Sequence, residues 1–352
     1  MKAALRTHRL HLHSAGVATA AGGLVASVEQ LNADAAPLGS TVLEDMLDAA
    51  GEPIAAVPAC PPGMAPARRV QTLVQAALRD LCQQAGLTPA VLGTERLFIV
   101  TPESEVPQPE LGLVALQAWL DACGAHTAAD QSAAMLRVSF HEHIGEALGA
   151  AQGHLAGQAP HALVLCAETW LGHAALQWLD GQDLLRSSSS NGVVPGEAAV
   201  LLRLARGAGA DTALHYAHAD APQPRTPDAP ALGSHWSELM LALQRLPAFQ
   251  DQPPVSVLRD RHASHPAMAR EEEFVRRRNW QHLRPDDPLA WLDSAALGYI
   301  GRCGPLLQLA ALARLDAARL PAIGSWRSLW RHTLVSARPA PSMATATERI
   351  DA

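Results

Sequence analysis

The hydrophobic pattern along this chain switches repeatedly between two periods. Residues 10 to 17 alternate, with Leu10 and Leu12 leading into Ala15-Gly16-Val17, and predict a first strand. From Arg68 to Ala85 the apolar positions are Val70, Leu73, Val74, Ala77, Leu78 and Leu81, three and four apart, which predicts a helix ended by Gly86. Leu97 to Val100 reads as a short buried strand, residues 110 to 123 as a helix, and Met135 to Ser139 as another short strand. A helix follows from His141 to Leu155, with Ile144, Ala147, Leu148, Ala151 and Leu155 on one face and Gly157 closing it, and then a strand from Ala162 to Cys166. Ser190 to Gly196 is a Gly/Pro turn that feeds Ala198 to Leu204, a strand apolar enough to be buried on both faces. Gly196 there serves either a positive φ or a close backbone approach.

The C-terminal part continues with a helix from Trp236 to Leu246, a strand from Val255 to Leu258, the run Gly298-Tyr299-Ile300-Gly301, and a helix from Pro305 to Leu315. Strands and helices alternating at this length predict an α/β protein with parallel sheets covered on both faces. Prolines at 222, 224, 227 and 230 make the stretch from Asp220 to Gly233 the best boundary by composition. No short-period internal repeat is visible.

Composition narrows the function classes. With 352 residues, 48% hydrophobic and 17% charged, the chain can bury a large core. A net charge of −7 and a pI near 6.1 argue against an extended nucleic-acid surface. The one basic run, Val275 to Arg278, follows Glu271 to Glu273 and reads as a solvated helix face. Five cysteines, at 60, 82, 123, 166 and 303, form no CxxC pair, so neither a disulfide framework nor a zinc site is expected, and the compartment is expected to be reducing. His8, Arg9, His11 and His13 interrupt what would be the apolar core of a signal peptide, no run of 18 apolar residues occurs, and a cytoplasmic protein without a membrane partner is expected. His8, His11 and His13 lack a fixed ligand spacing and read as surface residues of an edge segment rather than a metal site.

Asn191-Gly192-Val193-Val194-Pro195-Gly196-Glu197-Ala198-Ala199 followed by Val200-Leu201-Leu202 resembles the NGxxPGEAAxxLLL signature of the β-ketoacyl synthases. Gly16 to Thr19 is similar to their GxGxxT opening, and the helix from Arg68 followed by Leu97 to Val100 matches their order. The resemblance spans roughly residues 8 to 335. It implies the thiolase fold: two similar halves, 1–205 and a trimmed 206–352, giving a layered α/β/α/β/α architecture.

It also exposes departures. The family's nucleophile is a cysteine opening a buried helix, where the helix dipole lowers its pKa, with two histidines opposite. Matching the helix bodies places His141 at the cysteine position, and the neighbours Ser139, Phe140, Glu142 and His143 supply no thiol; Cys123 and Cys166 are too distant, the latter on the next strand. The first family histidine corresponds to His262 in Arg261-His262-Ala263-Ser264-His265, and the second to Tyr299. The late Gly-Phe-Gly-Gly loop is missing from residues 324 to 337. An acyl-imidazole at His141 would hydrolyse readily, and His141 and His143 would point about 200° apart on a helix, which disfavours a metal site built on them, His262 and Tyr299. The resemblance therefore implies a protein with degenerate catalytic positions, binding no cofactor and no metal. Two roles follow from it: an accessory or adaptor protein like the thiolase-like proteins of type VI secretion, meeting a secretion effector or adaptor, or a chain-length-factor-like partner of an active ketosynthase in polyketide, aryl polyene or fatty-acid synthesis. Either way a protein partner is expected, itself or another chain, and a dimer formed through an edge strand from Met135 to Phe140.

Overall fold

In a computed structural model, the structure describes residues 6–31, 40–48, 51–102, 108, 110–125, 127–182, 184–186, 193–206, 212–220, 242, 245, 256–259, 297–314, 322–327 and 332–338. The strands are β1 (Arg6–Ala18), β2 (Thr41–Leu47), β3 (Pro53–Ala56), β4 (Arg96–Val100), β5 (Val138–His141), β6 (His161–Thr169), β7 (Glu197–Ala205), β8 (Thr212–Asp220), β9 (Ser256–Arg259), β10 (Ala322–Arg327) and β11 (His332–Arg338). The helices are α1 (Leu24–Gln30), α2 (Pro66–Ala85), α3 (Pro89–Leu92), α4 (Leu111–Ala122), α5 (Ala128–Met135), α6 (Ile144–Ala156), α7 (His173–Gly181) and α8 (Cys303–Arg314).

Nine described strands form one mixed sheet in the order β5-β4-β6-β7-β1-β8-β11-β10-β9, and β2 and β3 make a separate hairpin. The order repeats itself about the β1–β8 seam. On one side β1 runs antiparallel to β7, β7 antiparallel to β6, and β6 parallel to β4. On the other side β8 runs antiparallel to β11, β11 antiparallel to β10, and β10 parallel to β9. α6 precedes β6 as α8 precedes β10, so the two helices hold equivalent places in two similar halves.

Alternation of side chains across the strands sorts the core into layers. Val100, Val164, Cys166, Val200, Leu202 and Leu204 join α6 and α8 in one cluster. Ile99, Leu163, Leu165, Ala199 and Leu201 face the other way, onto α2 and α4. α8 touches β1, β6 and β7 of the first half and β8, β10 and β11 of the second, and every residue from Cys303 to Leu312 is buried. This is the middle layer, and it explains why α8 has no polar face. α2 has the apolar stripe read from the sequence, starts at Pro66 and ends at Gly86. It lies so close on β1 that a Cβ on Gly16 would collide with the carbonyl of Ala77 and come within 2.6 Å of the Leu81 nitrogen.

The signature turn is fastened by a buried ion pair. Glu197 is fully buried, and its Oε1 accepts from Ala59 N at 2.8 Å, Cys60 N at 2.7 Å and Arg69 Nη1 at 2.8 Å, while Oε2 accepts from Thr169 Oγ1 at 2.9 Å. Arg69 in turn donates to the Met64 and Pro61 carbonyls, so the Pro-rich connection that leads into α2 is wrapped around its guanidinium.

Several boundaries differ from the sequence reading. The strand expected at Met135–Ser139 is β5, Val138–His141, because Thr127 and Asp130 form a capping box that makes Ala128–Met135 a helix. The helix expected from His141 begins at Ile144, with His143 at the N-cap, so His141 belongs to the strand end. The helix expected from Pro305 begins at Cys303. Residues 322–327 and 332–338 are strands, in the stretch that corresponds to the glycine loop of the ketosynthases. The helix read at 236–246, the basic run at 275–278, and Ser190 to Gly192 of the turn lie outside the described residues, apart from single positions 242 and 245.

Gly196 resolves the choice left by the sequence: its φ is not among the positive values, and a Cβ would sit 2.6 Å from the Leu297 carbonyl oxygen and 3.1 Å from Gly298 Cα. Gly196→Val is expected to destabilise the protein by on the order of 3 kcal/mol through overpacking, read as a lowered urea midpoint; an unchanged midpoint would show that the approach is not needed.

Candidate functional site

β4, β5 and β6 are mutually parallel neighbours, so their C-terminal ends open on the same side of the sheet, where α/β proteins place their ligands. The chain ends brought together there are Val100-Thr101, His141 and Glu168-Thr169. Thr101 donates its backbone N–H to the His141 carbonyl at 2.9 Å, with its hydroxyl 3.3 Å from the same oxygen. Arg302, the residue before α8, donates Nη1 to the Thr101 carbonyl at 2.6 Å and to the Pro102 carbonyl at 3.1 Å. The head of the middle-layer helix is thus tied to the ends of β4 and β5.

Glu168 completes the arrangement from β6. Its Oε2 accepts from Arg302 N at 3.0 Å and from Trp170 Nε1 at 3.3 Å. A carboxylate at this place complements the positive end of α8. Trp170 packs edge-on against Tyr299, centroids 4.7 Å apart, and both belong to an apolar cluster with Ile54, Leu176, Leu179 and Val193. Tyr299 is nearly inaccessible, and its backbone bonds to the signature turn: its N–H donates to Val194 O at 2.7 Å and its carbonyl accepts from Gly196 N at 3.0 Å.

The three positions singled out from the sequence, His141, His262 and Tyr299, therefore fare differently. His141 stands at the end of β5, half-buried, with Nε2 3.1 Å from Ser139 Oγ and its ring beside Phe98. Burial lowers its pKa against the upward pull of Glu146, with Arg96 adding to the lowering, which favours the neutral ring at pH 7. Because it precedes the helix, the dipole argument made for a helix-heading residue does not apply to it, and neither does the 200° separation from His143. Tyr299 lies on the segment that Arg302 joins to Thr101, so the structure gathers these two positions around one set of strand ends. His262 lies outside the described residues.

Arg302, Glu168 and Trp170 were not foreseen, and neither was Cys303 as the first residue of α8. Cys303 and Cys166 are both fully buried beside each other; Cys303 Sγ is 3.3 Å from the Ala198 carbonyl. Burial raises both thiols, Cys166 well above the usual range, and Glu168 pushes in the same direction. Cys60 is pushed up to about 11 and Cys123 to about 12, each mainly by burial. A helix terminus is thus occupied by a thiol that its surroundings keep protonated. Among the described residues no group of three or more His, Cys, Asp and Glu is arranged to hold a metal ion, and no helix is long and apolar enough to cross a membrane.

No protein-family model matches the sequence, and no curated protein matches it. Solved structures do. The ishigamide ketosynthase/chain length factor aligns over 95% of this chain and 99% of its own, with 16% identity and a TM-score of 0.56. The ketosynthase from module 6 of the bacillaene synthase of Bacillus subtilis 168 aligns over 95% of this chain and 72% of its own, with 10% identity and a TM-score of 0.61. The chain has the thiolase fold of the ketosynthases. A type II polyketide synthase ketosynthase, in complex with its acyl-carrier protein and bound to the hexaketide, is also similar, over 96% of this chain and 100% of its own, with 12% identity and a TM-score of 0.52.

At pH 7.5, iodoacetamide is expected to alkylate Cys60, Cys166 and Cys303 of the folded protein at least about 100-fold more slowly than those of the denatured chain, since only the thiolate reacts and burial withholds both proton loss and access. Peptide mass spectrometry reads the rates. Rapid labelling of Cys303 in the folded state would contradict the described site.

Proposed function

We propose that this protein is a non-catalytic, ketosynthase-like subunit that works by pairing with another protein. The observation that carries the reading is the tied-up site: at the strand ends where ketosynthase chemistry would be placed, Arg302 bonds the Thr101 and Pro102 carbonyls, Glu168 accepts from the Arg302 backbone N–H and from Trp170 Nε1, and Tyr299 packs against Trp170. A group engaged in holding strand ends to a helix is not free to move protons or accept an acyl chain. His141 offers an imidazole but no thiolate, and the head of α6 carries no cysteine.

A surface suited to pairing lies next to this site. β5 ends the described sheet. Leu97 N donates to Arg137 O and Thr101 N to His141 O, so the odd-numbered residues of β5 bond inward to β4, and the backbone groups of Val138 and Phe140 point outward. Around that edge are Met135, Phe140 and Leu136, the last 83% exposed, with α4 presenting Leu113 next to the Gly112–Phe140 contact. An edge strand bordered by exposed apolar side chains is an aggregation hazard unless a partner covers it.

The partner in this proposal is a second copy or an intact ketosynthase, the latter making the chain a chain-length-factor-like subunit. The similar structures, a ketosynthase/chain length factor and a ketosynthase with its acyl-carrier protein, support that choice. An adaptor role in type VI effector delivery would use the same inert fold and the same edge, with a secretion protein in the partner's place. The division into halves at residues 205/206 belongs to the same proposal, since it sets β1 to β7 as the unit that presents β5.

Light scattering on the purified chain, alone and mixed with the ketosynthase or secretion proteins encoded beside it, tests the reading. Val138→Pro removes an outward-pointing donor without touching the β4 ladder, and is expected to weaken the assembly on the order of 100-fold. A wild-type monomer in every mixture, or an assembly indifferent to Val138→Pro, would defeat it.

A further inference from the structure

Away from the strand ends of the candidate site, four polar side chains meet at the opposite end of β4, β6 and β7. Arg203 of β7 is buried against Glu95, the residue before β4: Nε lies 3.0 and 3.1 Å from the two carboxylate oxygens and Nη2 2.6 Å from Oε1. Two imidazoles take up the rest of the guanidinium. Nη2 is 2.8 Å from His161 Nδ1 and Nη1 is 3.4 Å from His13 Nδ1, and the two rings meet edge to face with centroids 5.3 Å apart.

The backbone sets this up. His161 lies two residues before Leu163, the cross-strand partner of Arg203, and so shares its face of the sheet. His13 sits where the β1–β7 register shifts between Leu12 and Ser14, an irregularity of the kind that re-aims a side chain. Arginine has donors only, so each Nδ1 that meets Arg203 acts as an acceptor, and both rings carry their proton on Nε2. The neutral knot holds one cation and one anion. It joins β1, β6, β7 and the entrance to β4.

We propose that this knot is an acid-sensitive clamp: when His161 takes up a proton from solvent, its Nδ1 changes from an acceptor of Arg203 into a second donor, two cations stand side by side, and the tie between β1, β6, β7 and the start of β4 is released. Among the described residues the charged and titratable groups facing the His161 ring are Arg203, Glu95 and His13, and Ser14 Oγ lies 3.5 Å from His13 Nδ1. Glu95 is already bidentate to Arg203, its Oε1 3.6 Å from His161 Nδ1, so it can shift toward the new cation only by loosening its hold on the old one. Burial first, then Arg203 and His13, hold the His161 pKa below the ordinary 6.5, against Glu95. A histidine with a lowered folded-state pKa contributes stability that is complete above the unfolded value and lost as the pH falls from there through the folded one.

Urea unfolding of the full chain at pH 7.5 and 5.5, for wild type, His161→Gln and His13→Gln, tests the clamp. Glutamine keeps an acceptor oxygen and takes up no proton. Between the two pH values the unfolding constant of the wild type is expected to rise relative to that of His161→Gln by up to about tenfold, the most that one unit below the unfolded-state pKa permits for a single histidine. A ratio that does not change with pH would overturn the proposal. Should His161→Gln fail to fold, imidazole nitrogen NMR of the wild type decides: an unprotonated Nδ1 and a titration midpoint below 6.5 support the clamp, and a protonated Nδ1 at neutral pH or an ordinary midpoint overturns it.

Discussion

The carboxylate of Glu197 organises this molecule. A fully buried anion is tolerated only when its oxygens are fully engaged, and here two backbone N–H groups, a guanidinium and a hydroxyl meet that demand. Through those bonds the signature turn holds the Pro-rich connection, the first turn of α2 and the end of β6. Pro195 and Gly196 lie immediately before it, and the same turn bonds the backbone of Tyr299 and so positions the segment that delivers Arg302 to the strand ends. Removing the carboxylate would strand Arg69 as an unpaired buried cation, a loss of about 3–5 kcal/mol for such pairs, and would loosen the site and the outer helix together.

Much of the fold was legible because single-face burial writes itself into the sequence. The stripe from Val70 to Leu81 became the buried face of α2 without change, and the apolar runs at 97–100, 162–166 and 198–204 became strands in the middle of the sheet. The region from Thr127 to His143 was harder. Its apolar residues, Met135 to Phe140, suggested one strand, whereas the Thr127–Asp130 capping box converts the beginning into a helix and pushes β5 three residues on. Strands β8 and β11 left no clear signal of their own, since their mixed sequences fit a strand only once a neighbour is there to pair with, β1 for β8 and β8 for β11.

The site was legible by position and not by content. Matching motifs led to His141 and Tyr299, and both lie on segments that Thr101 and Arg302 join. Glu168 and Arg302 are 134 residues apart in sequence, and nothing local in Cys166-Ala167-Glu168 or Gly301-Arg302-Cys303 shows that they will meet. Their pairing depends on β6 and α8 converging, which is tertiary information. The same holds for Arg203, Glu95, His161 and His13, each unremarkable in its own segment. In physical terms, a ketosynthase-like fold does not need its nucleophile: the layers are held by apolar faces and by buried ion pairs away from the reacting atoms. At these strand ends the buried polar groups are engaged in structural bonds instead, Glu168 with the Arg302 N–H and Trp170 Nε1, and Arg302 with the Thr101 and Pro102 carbonyls.

The central claim, that this thiolase fold works without acyl chemistry, is tested most directly by intact-protein mass spectrometry after incubation with acetyl- and malonyl-loaded acyl-carrier protein. The account predicts an unchanged protein mass after denaturing work-up, at concentrations where a ketosynthase control is acylated. A covalent acyl increment on this chain that survives denaturation, wherever it is mapped, would contradict it.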